Sequence, residues 1–217
     1  RKDSATDTTT VASTSKLAAR TELTERAADS LQVAGVPSAV ADVGTHGEDL
    51  YDVAKASSWT KASAIMDSLD TSAAALTTGE RTQLTSVLGP LRQAAASHDR
   101  QGAIDAANQV AFIAANLTEA YHPKMPADIV RLDYYGRELE IWAARKDMIR
   151  LSSTAADLRR TWERVRPSVL AHGGRAAAAK TDALVAQLAA AKTPADYARV
   201  SPPFLDVVDE LEQPFEK

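Results

Sequence analysis

The sequence predicts an all-α fold: a multi-helix antiparallel bundle with a four-helix-bundle-like core, additional short helices and no sheet. Three observations carry this expectation. Alanine supplies 43 of the 217 residues, and it is the strongest helix former because it has almost no side-chain entropy to lose. The nine glycines and nine prolines are too few for a turn-rich β protein and cluster between apolar-periodic segments. Apolar residues recur at spacings of three and four, which holds one helical face against a partner. No segment sustains period-two alternation.

Taken in order, Leu23, Ala27 and Leu31 mark a first weak helix over about 17–31, closed by Gly35 and Pro37. Thr45 and Glu48 have the spacing of a capping box, which predicts a short helix carrying Leu50, Val53 and Ala54. The phase slips at Ser57-Ser58. Trp59, Ala62, Met66, Leu69, Ala73 and Leu76 then form a seam, read as one kinked helix with its predecessor or as two stacked pieces. Thr77 and Glu80 cap the next helix, whose seam is Leu84, Leu88, Leu91, Ala95 and His98 and whose Pro90 predicts a kink.

Asp99 caps a helix with Ala103, Ala107, Val110, Ala114, Leu117 and Tyr121 on one face, ended by Pro123 and Pro126. Ile129, Leu132, Gly136, Leu139 and Ala143 line the following one. The phase breaks at Lys146-Asp147, either as a hairpin or as a stutter in one long helix. Met148, Leu151, Ala155, Leu158, Trp162, Val165 and Val169 form the longest seam, closed by Gly173-Gly174. Ala177, Thr181, Leu184 and Leu188 line a further helix. Thr193-Pro194 with Asp196 starts another, and Ser201-Pro202 predicts a separate last helix burying Phe204, Val208, Leu211 and Phe215. Capping residues before small-residue seams at 58, 99 and 147 give a faint internal echo, resembling repeated helix hairpins without the fixed period of a solenoid. Residues 1–16 form a polar spacer, and 17–217 a single helical-bundle domain.

The charge of −4 gives no basic face of the kind nucleic acid requires. No apolar run reaches the roughly 20 residues of a membrane span. With no Cys, disulfides, thiolate metal sites and Cys nucleophiles are excluded within this chain. There is no Gly-rich phosphate loop, no Gly-x-Ser-x-Gly and no His-Glu-x-x-His, so the expectation is a protein that is not an enzyme.

Two stretches can carry chemistry. Glu119, His122 and Met125 form a Glu-x-x-His and a His-x-x-Met pair around one imidazole. A bundle presents carboxylate and imidazole to iron in this way, and His with Met suits copper. A di-iron site needs the Glu-x-x-His pair twice, and the residues three before His46, His98 and His172 are Val43, Ala95 and Val169. The bland alternative places His122 at a helix end, favoured by the dipole.

The second stretch is Asp133, Tyr134, Tyr135, Gly136, Arg137 and Glu138. Asp133 and Arg137 are an i, i+4 pair. A helix-interior Gly costs about 1 kcal/mol against Ala, so Gly136 implies close approach by a neighbour. These residues read as a polar pocket or a partner surface, or else as a structural network of a buried ion pair and Tyr hydroxyls that joins helices. Asp133, Arg137 and Glu138 are expected on the inner or groove side of the bundle.

Residues 1–16, rich in Thr, Ser and Asp, resemble the spacer that follows a cleaved signal peptide or a lipid-anchored N-terminus. Arg outnumbers Lys, 16 to 9, and with abundant Ala this suggests a GC-rich bacterial genome. The layout of polar spacer and Ala-rich seams resembles exported helical-bundle lipoproteins of high-GC bacteria. The resemblance covers the layout and implies an extracytoplasmic bundle of unknown function, with a lipid anchor upstream. The His-x-x-Glu motif of the imelysin-like iron-uptake proteins is missing, since Asp49, Gln101, Met125 and Arg175 stand three after the histidines. The leading expectation is therefore an extracytoplasmic binding or scaffold module, with a protein among its candidate partners. The alternatives are a copper or iron binder centred on His122 and a sensory bundle.

Overall fold

A computed structural model describes residues 35–216, and among them every regular element is helical. The helices are α1 Ser38–Lys55, α2 Trp59–Ala75, α3 Thr78–Ala96, α4 Arg100–Glu119, α5 Ala127–Arg145, α6 Met148–Ala171, α7 Arg175–Ala190 and α8 Pro194–Glu212, followed by one 3-10 turn, Gln213–Phe215. The helix expected over 17–31 and the spacer 1–16 lie outside the described residues.

The helices close into two consecutive rings of four. α1 packs on α2 and α4, and α3 packs on the same two. α5 packs on α6 and α8, and α7 on those two. The α4–α5 contact joins the rings, and one apolar cluster runs through both. The four-helix core is thus present twice. Leu69, Leu91, Val110, Leu139, Leu158, Trp162, Leu188 and Leu211 are all buried, as their seams predict.

The tight turns share one device. Ser57, His98, Lys146 and Gly173 each adopt positive φ. The following N–H reaches back five residues, as in Ser58 to the Val53 carbonyl at 2.8 Å and Asp147 to that of Trp142 at 3.0 Å. This satisfies carbonyls at the helix end. The residue making that bond is also the next N-cap, and Asp99 and Asp147 accept from Gly102 and Arg150 N–H. The chain therefore reverses in two or three residues. Ser57-Ser58 and Lys146-Asp147 are hairpin turns, not kinks or stutters. Thr77 with Glu80 and Thr193 with Asp196 are full capping boxes.

Three expectations are corrected. Thr45 caps nothing, because α1 runs unbroken from Ser38. Gly47 is a packing position there, since a Cβ would stand 2.8 Å from the backbone nitrogen of Ala111. Ser201-Pro202 starts no new helix, because α8 continues through Pro202 and Pro203. Proline removes the N–H that the Ala198 and Arg199 carbonyls would accept, while the Ser201 hydroxyl donates to the Tyr197 carbonyl at 2.8 Å. His98 leaves the core seam for the left-handed turn, where its ring stacks on half-buried Trp59 with centroids 4.9 Å apart. Pro90 lies within α3, which continues past it.

Candidate functional site: a cleft between four helix ends

The Asp133–Glu138 stretch is interior. Asp133, Arg137 and Glu138 are buried, Arg137 to 2% exposure. Leu132 and Leu139 fix the buried seam, and the intervening turn carries the charged residues inward beside it. Arg137 Nη2 lies 2.6 Å from Asp133 and 3.6 Å from Glu48 on α1. Its guanidinium stands over the Tyr51 ring, 5.1 Å from the centroid. Burial pulls its pKa down, but Asp133 and Glu48 outweigh that and hold it above the usual arginine value. Arg137 Nε and Nη1 have no hydrogen-bond partner. The ring contact is what covers the cation's remaining face.

Tyr134 and Tyr135, expected to point apart, instead bring their rings together edge to face with centroids 5.1 Å apart, both beside Phe112. The Tyr134 hydroxyl accepts from Gln109 at 2.8 Å, and its ring lies against Phe112 at 4.3 Å. Burial raises the pKa of both phenols, which keeps them neutral. Glu138 accepts from Trp142 Nε1 at 2.5 Å and from Asn108 at 3.3 Å. Burial pushes its carboxyl above the ordinary range despite those two bonds. These five residues are a wall joining α4, α1 and α5. Gly136 explains itself in the same way, since a Cβ there would stand 2.6 Å from Leu205 Cδ2 on α8.

The trio Glu119, His122 and Met125 does not converge. Met125 is buried at 1% exposure in the apolar core. His122 is exposed, in a left-handed backbone conformation. Glu119 pairs with Arg131, which also holds Asp128. Glu119 and His122 share a shallow depression of about 280 Å³ with Asp128 and Arg131, which Met125 does not line. Among the described residues, no group of three His, Asp or Glu is placed to hold a metal ion.

A larger cleft of about 370 Å³ opens where four helix ends meet. The C-terminal turns of α1 and α5 bring Tyr51, Lys55, Glu140, Ile141 and Arg145, and the N-terminal turns of α4 and α8 bring Arg100, Ile104, Asp105 and Ala198. Its apolar surface comes from Ile104, Ile141, Ala143, Ala144 and Ala198. The charges are ordered around it. Lys55 Nζ and the Tyr51 hydroxyl converge on Glu140 Oε2, at 2.5 and 2.9 Å. Burial and the adjacent Glu140 carboxylate raise the Tyr51 pKa, so it stays a donor. Arg145 pairs with Asp105 at 2.5 Å, and Arg100 donates twice to the Lys55 carbonyl, at 3.0 and 2.9 Å.

Three cations therefore face two carboxylates, which leaves the cleft net positive in a chain of charge −4. Asp105 Oδ1 is buried and accepts no hydrogen bond. Nothing in the sequence marks this cleft as a motif. Its residues come from four helices, so no local pattern joins them.

The fold and cleft define an all-α bundle with a preformed pocket at the meeting of two four-helix rings. No family model, curated protein or solved structure matches the chain.

Proposed function

We propose that this chain is a non-enzymatic binding module and that the cleft between α1, α4, α5 and α8 takes a small amphipathic molecule. The carrying observation is the cleft itself: about 370 Å³, an apolar floor, and a few converging polar groups, the combination that small-molecule sites share. Its net positive rim favours an anionic group on the ligand. The unpartnered Asp105 oxygen favours a hydrogen-bond donor beside it, because a buried acceptor left unmade costs about 1–3 kcal/mol. The ligand class is thus an apolar body with one anionic group and one adjacent donor. The polar, Thr- and Ser-rich residues 1–16 support placing the module outside the cytoplasm.

The probe 8-anilinonaphthalene-1-sulfonate has this chemistry: fused rings, a sulfonate and an anilino N–H. Titration into the folded protein should give saturable, one-to-one fluorescence enhancement. Ala144→Trp, which fills the cleft, should abolish it, and Arg100→Ala should weaken it at unchanged helical content. Enhancement that survives Ala144→Trp would place the probe elsewhere and overturn the reading.

A further inference from the structure

The first and fourth helices of the two rings match at their packed positions. Tyr51 and Glu140 are 89 positions apart, and that shift superposes α1, its turn and the start of α2 on α5, its turn and the start of α6. Pro37 becomes Pro126, and both are N-caps with nearly the same backbone angles, φ −58° ψ 138° and φ −57° ψ 132°. The left-handed Ser57 (φ 54°) becomes Lys146 (φ 57°), and the N-cap Ser58 becomes Asp147. Gly47, Leu50, Ala54, Ser63 and Leu69 fall on Gly136, Leu139, Ala143, Ser152 and Leu158 without change. The buried Val40, Val43, Ala62, Ala73 and Leu76 fall on the buried Ile129, Leu132, Leu151, Trp162 and Val165.

The packing repeats as well, which periodicity alone does not require. Gly47 is where α1 meets Val110 and Ala111 of α4, and Gly136 is where α5 meets Phe204 and Leu205 of α8. Counted from their N-caps, Asp99 and Thr193, Val110 and Ala111 occupy the same positions as Phe204 and Leu205. Ala114 and Leu117 likewise match Val208 and Leu211, all buried. Helical periodicity explains why apolar positions coincide. It does not explain why a glycine at one position of the first helix meets one turn of the fourth helix in both rings.

Two side-chain pairs that cross from one ring to the other join a residue to its own counterpart: Glu48 to Arg137 at 3.6 Å and Tyr51 to Glu140 at 2.9 Å. Ile104 and Ala198, again counterparts, both line the cleft.

We infer that residues 36–216 are a tandem duplication of one four-helix unit, that α4 of the first copy packs on α5 of the second while side chains at equivalent positions of α1 and α5 pair beside that contact, and that the cleft is a site neither copy has alone. The helix contact between the copies is one-sided, since α4 packs on α5 while the equivalent α8 makes no comparable contact with α1, so only the α1–α5 side-chain pairs join equivalent positions. The α5 face of one unit thus takes the α4 face of a second unit of the same kind, carried here on the same chain. Divergence has placed opposite charges at positions 48 and 137, and the cleft's Lys55 and Arg100 lie in the first copy only, where the second has Ala144 and Pro194. The inference concerns the construction of the seam and stands whether or not a small molecule fills the cleft.

Reciprocal exchange tests it in the full chain. One half-exchange is Gly44→Asp with Glu48→Arg in α1, and the other is Asp133→Gly with Arg137→Glu in α5. Each sets like charges against one another at the seam and should lower the melting temperature by about 6–15 °C, as expected for a stranded buried charge in a chain of this size. The fourfold exchange should recover at least half of the larger loss. Failure to recover, or half-exchanges indistinguishable from the parent, would overturn the equivalence. If a half-exchange does not fold, the fourfold variant must still show the parent's far-UV spectrum. A protease site inserted after Lys124, in the α4–α5 connection, gives a second measurement. Cleavage should leave the helical signal intact, and its loss would equally count against two self-completing units.

Discussion

Glu138 shows how much a single buried carboxyl shapes this bundle. Burial raises its pKa in the folded state, so the native protein holds a proton that the unfolded chain releases. Stability is then greatest below the unfolded carboxylate range and falls as pH rises through about 4.3 toward the folded value. Glu138→Gln keeps the acceptor for Trp142 and removes the ionisation. Its melting temperature relative to the parent should climb between pH 4.5 and pH 7, and a pH-independent difference would remove Glu138 from that account. Glu212 is raised in the same direction, by burial and by Glu48, Asp209 and Asp133, so part of the parent's slope should survive the substitution. Arg137 works oppositely. Arg137→Ala removes the buried cation beside Asp133 and Glu48 and should cost about 3–5 kcal/mol in urea denaturation. A cost under ~1 kcal/mol would show that solvent reaches both carboxylates. The charges of this stretch were legible as an inward-facing group because Leu132 and Leu139 fix the helical phase. Their partners Glu48 and Asn108 were not, since no local pattern links α1 or α4 to α5.

At the level of elements, turns and close helix approaches organise the chain. The hairpin at Lys146-Asp147 was legible only as a phase break, because the left-handed position usually taken by glycine holds Lys. The same is true of Ser57, whereas His98 was read as a seam residue and only the Asp99 cap that follows it was legible. The expectation failed in the other direction at Thr45, where a capping pattern lies inside a helix. There the need to pack Gly47 on α4 outweighs a local cap. It failed again at Ser201-Pro202, where buried Tyr197, Phe204 and Leu205 keep one helix continuous past two prolines. The two seam glycines differ in what opposes a methyl group. At Gly47 the obstacle includes the Ala111 backbone nitrogen at 2.8 Å, whereas at Gly136 the nearest atoms belong to the Leu205 and Phe204 side chains. Helix propensity favours Ala by about 1 kcal/mol at both sites. Gly47→Ala should therefore lose about 1–3 kcal/mol from forced displacement, and Gly136→Ala clearly less, because Leu205 can turn. Equal losses in chemical denaturation would contradict that contrast. Leu158→Ala, at the buried centre of α6, should cost about 2–5 kcal/mol.

For the whole molecule, the all-α class and every long helix of the described residues except the beginning of α1 and the continuity of α8 followed from apolar phase. The closure of eight helices into two rings did not. Ring closure depends on which seams face one another, and Ala-rich seams are too alike to specify partners. The cleft belongs to the same level, since it exists only where the rings meet and no single segment carries its signature. Its residues span the ends of α1, α4, α5 and α8, so occupation should tie those four ends together and slow their local opening. Hydrogen exchange followed by mass spectrometry, with and without saturating 8-anilinonaphthalene-1-sulfonate, reads this directly. Slowed exchange confined to peptides covering 51–55, 100–105, 140–145 and the start of α8 is the expected result. Protection spread elsewhere, or none at these four ends, would contradict the cleft as the binding site.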